Sequence, residues 1–251
     1  MRRITDLDPA YVAALNAGAI PSATLTEGLA IDFAALLQAA VPALPSAAYA
    51  QMHAAAGEGI TRRMAKAAQL IADHQGLAAL PALMDHTSDT VRGWACYLIG
   101  GADGLALPAR LEMIRPLADD PHFGVREWAW MAVRPHIAAD PAGAISHLTG
   151  WTDDPSARIR RFASEATRPR GVWCAHITSL RQDPGSALSL LQPLRADPAA
   201  YVQDSVANWL NDASKDRPDW VRALCADWLA ESPAPETARI CKRALRTVNK
   251  R

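Results

Sequence analysis

Aromatic rings other than tryptophan are scarce, with three phenylalanines and four tyrosines in 251 residues against eight tryptophans. Runs of β-branched and aromatic residues, the material of strands, are nearly absent, and Ala and Leu dominate the apolar half of the chain. That composition argues against a sheet-based core and favours helices. Net charge is missing too: 26 basic residues balance 26 acidic ones, so attraction to a polyanion must come from local clustering. Cysteine is rare. Cys96, Cys174, Cys225 and Cys241 stand far apart and never form C-x-x-C, which argues against a disulfide framework or zinc site and predicts buried free thiols in a reducing compartment. No run approaches the roughly 18 apolar residues of a membrane span. The opening MRRITDLDPA passes from two arginines to acids and a proline instead of an apolar segment. A cytoplasmic protein is expected. The seven histidines are scattered with no His-x-x-x-His pair, so no metal site is expected.

What the chain does possess is self-similarity. Asp120-Pro121, Val125-Arg126 and Ala129 return as Asp154-Pro155, Ile159-Arg160 and Ala163, and again, loosened, as Asp197-Pro198, Val202-Gln203 and Val206. An earlier copy lacks Asp-Pro but keeps Val91-Arg92 and Ala95, and a weaker last copy centres on Ile240 and Ala244. The branched residue recurs after 34, 34 and 43 positions. In this frame Asp reads as an N-cap and Pro as the first helical residue, where its missing N–H costs nothing. The branched residue and the small residue four places on share one helix face. A single helix pair cannot bury its apolar stripe, so the pairs must stack.

The fold expected is an all-α superhelix of HEAT-like or armadillo-type repeats with a concave DNA-binding face. Inner helices are predicted near 89–100, 121–136, 155–168, 198–212 and 236–247, and outer helices near 76–85, 107–117, 141–149, 185–194 and 218–230. Residues 76–251 are read as one continuous repeat domain, with 1–75 a helical segment packed on it. Gly100-Gly101-Ala102-Asp103-Gly104 has no preceding strand and reads as a helix-ending turn, not a phosphate cradle.

Charge is concentrated in the middle. From Ser156 to Gln182 there are six arginines (158, 160, 161, 168, 170 and 181) and one acid, Glu165. Arg126 and Arg160 occupy equivalent repeat positions, so stacking aligns them as a ladder suited to phosphates. A solvated helix face is the plainer alternative. Glu127 with Trp130, and Trp209 with Asp212, are i,i+3 neighbours, and a ring beside a carboxylate can hold a cationic base. A salt-bridged acid beside a core ring is the competing reading of each pair. Trp94, Trp128, Trp151, Trp220 and Trp228 read as packing residues.

Three segments resemble the AlkC branch of the alkylpurine DNA glycosylases. Arg160-Arg161-Phe162-Ala163-Ser164-Glu165, continuing to Arg168-Pro169-Arg170 and Trp173, is similar to the family's R-R-L-A-S-E-G-x-R-P-R-L-P-W. The stretch from Tyr201 through Ser205, Asn208 and Trp209 to Asn211-Asp212, Lys215 and Pro218 is similar to its Y-V-R-x-S-V-A-N-N-L-N-D-I-x-K-x-x-P. Leu25-Thr26-Glu27 and Leu29-Ala30-Ile31-Asp32 are similar to its opening segment. The resemblance implies HEAT-like repeats, excision of cationic alkylated purines, chiefly 3-methyladenine, from duplex DNA, and no metal or organic cofactor. It implies that Glu165 and Asp212 are catalytic carboxylates and Trp173 an aromatic site residue. The DNA-gripping set is read as Arg126, Arg160, Arg161, Arg168, Arg170 and Lys215.

The chain departs from the family at two points. The family's third carboxylate lies four residues before the Arg of an Ile-Arg-Pro-Phe segment; here that segment is Val133-Arg134-Pro135-His136, and the matching position is Trp130. Glu127 is the candidate substitute, with Trp130 and Trp209 as pocket candidates. Gly171-Val172 replaces the family's Leu-Pro before Trp173. Three readings stand: a glycosylase acting as a monomer on damaged double-stranded DNA, nucleoid-associated when bound; a non-catalytic binder of damaged or distorted DNA; and a protein-binding scaffold.

Overall fold

The structure is a computed structural model in which residues 6–171 and 173–248 are described. Every regular element among them is a helix. The first seven are α1 (Pro9–Asn16), α2 (Leu25–Ala30), α3 (Phe33–Ala40), α4 (Ser46–Ala54), α5 (Ile60–Gln75), α6 (Leu80–Met84) and α7 (Asp89–Gly101). Then come α8 (Leu107–Ala118), α9 (Phe123–Ala139), α10 (Pro141–Thr149), α11 (Ala157–Ala166), α12 (Thr178–Gln182), α13 (Leu188–Leu191), α14 (Ala200–Ala213), α15 (Pro218–Glu231) and α16 (Pro235–Ala244). The predicted inner helices are α7, α9, α11, α14 and α16, and the predicted outer helices are α6, α8, α10, α13 and α15. No described helix is long and apolar enough to cross a membrane.

Two compact units divide the chain. The first takes residues up to Leu105 together with Asp120–Ala132, and the second takes Ala106–Asp119 with Val133 onward. In the first, α5 lies along α7, burying Met64, Ala67 and Ile71 with Val91, Trp94 and Ala95. The helices before residue 76 therefore share one core with the first repeat. Gly93 and Gly100 set the spacing there: a Cβ on Gly93 would stand 2.4 Å from the Met64 Cε, and one on Gly100 2.6 Å from the Ala132 carbonyl oxygen. Gly100 thus lies inside α7 as a close-approach residue, and the expected turn begins only beyond Gly101, with Gly104 at φ +69°. In the second unit α11 packs on α14, and α14 on α16. Ile159, Phe162, Ala163, Val202, Val206, Leu210, Ile240 and Ala244 are buried there. The repeat frame's apolar positions are the core.

The frame's Asp-Pro works differently from the expectation. Helices α9, α11 and α14 begin three residues after Asp120, Asp154 and Asp197, so Asp does not occupy the N-cap nor Pro the first helical position. Each aspartate instead closes a turn by accepting from the amide two residues on: His122 at 2.7 Å, Ser156 at 2.7 Å and Ala199 at 2.8 Å. Proline between them holds the chain extended for that bond. In the earliest copy His86 takes the aspartate's place, its Nδ1 accepting from the Ser88 amide at 3.0 Å.

Two of these aspartates, Asp120 and Asp197, receive arginines of the frame. Arg92 grips Asp120 through Nε and Nη2 at 2.8 and 3.2 Å, and Arg160 grips Asp197 at 2.6 and 3.0 Å. Each also donates Nη1 to the two carbonyls ahead of its own helix, His86 and Thr87 for Arg92, Asp154 and Pro155 for Arg160. Arg126 does the same with Asp120 and Pro121, and Gln203 keeps one such bond, to Asp197. A charge-assisted bidentate pair this deep is costly to halve. Arg160→Ala leaves the buried Asp197 without its counter-ion and should lower unfolding free energy by about 3 kcal/mol in urea denaturation. A residue serving only phosphates would leave that midpoint where it is.

Candidate active site

Helices α11 and α14 each present one acid to the same guanidinium. Glu165 sits in the last turn of α11 and Asp212 in the last turn of α14, and both are buried, at 5% and 4% exposure. Arg168, just beyond α11, donates Nη1 to Glu165 Oε1 at 2.7 Å and Nε to Asp212 Oδ2 at 2.9 Å, with Nη2 also 2.7 Å from Oδ2. The space between the two carboxylates is thus bridged by one arginine. The remaining oxygens are also engaged: Ser205 donates to Glu165 Oε2 at 2.6 Å, and Lys215 to Asp212 Oδ1 at 3.0 Å. Arg161 lies 3.6 Å from Glu165 and stacks over Tyr201, 4.6 Å from its centroid. Burial by itself would raise the Glu165 pKa, but Arg161, Arg168 and the Ser205 hydroxyl outweigh it and hold the carboxyl below its usual range. Glu165 is therefore anionic at neutral pH.

The chain from α11 to α12 carries the exposed ring. Trp173 is 73% exposed; its neighbour Val172 lies outside the described residues. Arg134, fully buried in α9, fixes this connection by donating to the carbonyls of Ala166, Arg168 and Ala175 at 2.9, 2.6 and 3.2 Å. Arg134 thereby also orients the backbone from which Arg168 projects. Arg170 is not left facing solvent: it is bidentate to Asp216, at 3.0 and 2.9 Å, as is Arg181 at 3.1 and 2.8 Å.

Other expected residues fall elsewhere. Trp209 is fully buried and donates Nε1 to the Thr167 carbonyl at 3.0 Å, so it packs beneath the site instead of lining a pocket. Trp130 is buried too, and donates its Nε1 to Glu127 Oε2 at 2.7 Å; both belong to the first compact unit. That bond makes the pair a ring-to-acid contact within one helix. Lys215 is the more exposed cation of the set, at 38%. A groove of about 670 Å³ lies between α10 and the 179–189 segment, lined by Ile145, Ser146, Thr149, Ser179 and Ser189, and none of the acids above borders it. Ser205, Arg134, Arg181 and Asp216 escaped sequence reasoning. Ser205 stands inside a recognised motif, yet nothing in a lone sequence says that its hydroxyl meets a glutamate 40 residues earlier.

A helical-repeat protein with an arginine-bridged carboxylate pair, followed along the chain by an exposed tryptophan, is the class that fold and site define. Residues 124–244 match the family described as DNA alkylation repair enzyme. It is 27% identical to the Pseudomonas fluorescens alkylpurine DNA glycosylase AlkC, solved bound to DNA containing an abasic site analog, with a TM-score of 0.71 over 97% of this chain and 66% of that one. AlkD2 from Streptococcus mutans shares the fold, with a TM-score of 0.55 at 21% identity over 78% of this chain and 86% of its own. The Bacillus subtilis protein YhaZ is 36% identical over 140 residues, 56% of this chain and 38% of that protein. The chain thus spans less than half of YhaZ and just under two thirds of AlkC.

The bridge gives the carboxylates a structural role. Glu165→Gln should destabilise the protein by about 3 kcal/mol, because Arg168 and Arg161 lose a buried counter-ion. Glu165 is depressed in the folded state, so its contribution is complete above the unfolded value of about 4.3 and fades as pH falls through the folded one. The Gln variant should therefore show a shallower acid-side decline than wild type when urea midpoints are followed from pH 7 to pH 3. Equal slopes would mean that Glu165 contributes no such term.

Proposed function

We propose that this protein is a DNA glycosylase that removes cationic N3-alkylated purines such as 3-methyladenine from duplex DNA. The observation that carries the proposal is the buried pair Glu165 and Asp212, bridged by Arg168, with the exposed Trp173 five residues further along the chain. A purine already bearing a positive charge leaves with the glycosidic electron pair as a neutral base, so no strong general acid is needed. What the site must supply is negative charge for the oxocarbenium-like sugar and a water to add at C1′, which yields the abasic sugar and a released proton. Glu165, with both oxygens taken by Arg168 and Ser205, serves as fixed charge. Asp212, whose Oδ1 partner is the partly exposed Lys215, is the better group to orient the water and take its proton. Trp173 offers an aromatic face to the cationic base.

This reading moves the backbone-gripping role away from the repeat ladder. Arg160 and Arg170 are committed to aspartates, whereas Lys215 and Arg161 border the carboxylate pair. The likeness to a glycosylase solved on abasic DNA supports double-stranded DNA as the partner. Action in the cytoplasm, with nucleoid association when bound, follows from that substrate.

The test is release of methylated purine from alkylated duplex by the purified protein. Asp212→Asn should cut the single-turnover excision rate by on the order of 100-fold, the scale for one preorganised electrostatic group, after correction for folded fraction, with DNA affinity little changed. Tight binding to damaged DNA without any base release would replace this reading with a non-catalytic binder. Trp130 gives that alternative its footing, because it sets a neutral ring where the family has an acid.

A further inference from the structure

Two arginines flank Trp173 along the chain and share one acid. Arg170 lies three positions before the ring and Arg181 eight positions after it, and both close on the single carboxylate of Asp216. Four hydrogen bonds of 2.8 to 3.1 Å converge there: Oδ1 accepts Nη2 of each arginine and Oδ2 accepts Nε of each. Two planar guanidinium groups in bidentate geometry fix direction as well as distance. The chain between them is therefore tied at both ends to one point. That point lies in the turn after α14, four residues beyond Asp212. A further tie, the Ile177 amide to the carbonyl of Pro169 just ahead of Arg170 at 3.0 Å, overlaps this segment.

We propose that Asp216 is a positioning residue for Trp173: it pins both ends of the segment that presents the ring and keys that segment to the helix end bearing Asp212. The proposal rests on the glycosylase reading for its consequence in excision, but the tie itself is a matter of this chain's geometry. An isolated surface ion pair would have little effect on a neighbouring side chain; here one acid serves two cations from separate segments, and only its removal releases both. Hydrogen bonds from Arg181 and Arg170 hold the Asp216 carboxyl well below the usual carboxylate range, so the tie persists throughout the pH range of excision assays.

The experiment uses the full chain grown with 5-fluorotryptophan and read by fluorine NMR. Eight lines are expected from the eight tryptophans, and Trp173→Phe assigns the one in question. In Asp216→Asn the Trp173 line should shift and change width while the other seven hold, and kcat should fall by on the order of 10-fold to 100-fold with KM for DNA nearly constant. Arg181→Gln, which frees one end only, should move the same line by less and guards against a folding defect in the first variant. Adding Asp216→Asn to Trp173→Ala should cost no further excision. An unmoved Trp173 line in both variants overturns the proposal, as does movement of all eight lines together, which would make Asp216 a general stability residue. If Trp173→Ala excises at the wild-type rate, the role given to Trp173 in excision fails, and the fluorine line still decides whether Asp216 positions it.

Discussion

A guanidinium reaching from one helix to a carboxylate in the next repeat is the constraint on which the rest of this structure depends. Arg92 to Asp120 in the first unit and Arg160 to Asp197 in the second are the same device, used where the frame's Val-Arg and Asp-Pro recur. Apolar stacking of Ala, Val and Leu supplies the bulk of the burial, but it is nondirectional and tolerates sliding. A bidentate pair does not. Once the arginine is also bonded to the carbonyls ahead of its own helix, the start of that helix and the turn of the next repeat share one reference point.

The candidate site extends that device to a different end. Arg168 joins the last turns of α11 and α14 through Glu165 and Asp212, as Arg160 joins the region before α11 to the turn before α14. In the proposed reaction, the negative charge needed at the sugar is thereby stored inside a structural bond. Cations surround both carboxylates, and the cations stay ordered because the carboxylates are buried. Stability and chemistry then draw on the same side chains, which is why folded fraction and rate must be measured on the same variants.

Much of the architecture was legible from periodicity. The Val/Ile-to-Ala spacing located five inner helices to within a few residues, since it reports which face each helix buries. The recognised motifs likewise named Glu165 and Asp212, which the fold joins through Arg168. The misreadings share a cause. Asp120, Asp154 and Asp197 looked like N-caps because Asp-Pro at a helix start usually is one, yet here the same residues serve a turn and a partner some 30 residues away. For Glu127 with Trp130 and Trp209 with Asp212, i,i+3 spacing left a base-holding pair and a core contact both open, since it states that two side chains are neighbours but not whether they face water. Gly100 looked like a turn, and only the Ala132 backbone opposite it explains the glycine.

The sequence by itself determined the helical class, the repeat length and the identity of the acids, because these follow from local periodicity, composition and motif. Tertiary structure alone decided how each charge is spent. Whether an arginine meets a phosphate or an aspartate depends on which side chain packing brings within 3 Å, and Arg160, Arg168 and Arg170 all find their acids 37 to 46 residues away. No local pattern encodes a pairing over that distance, since it is the stacking of whole helices that closes it.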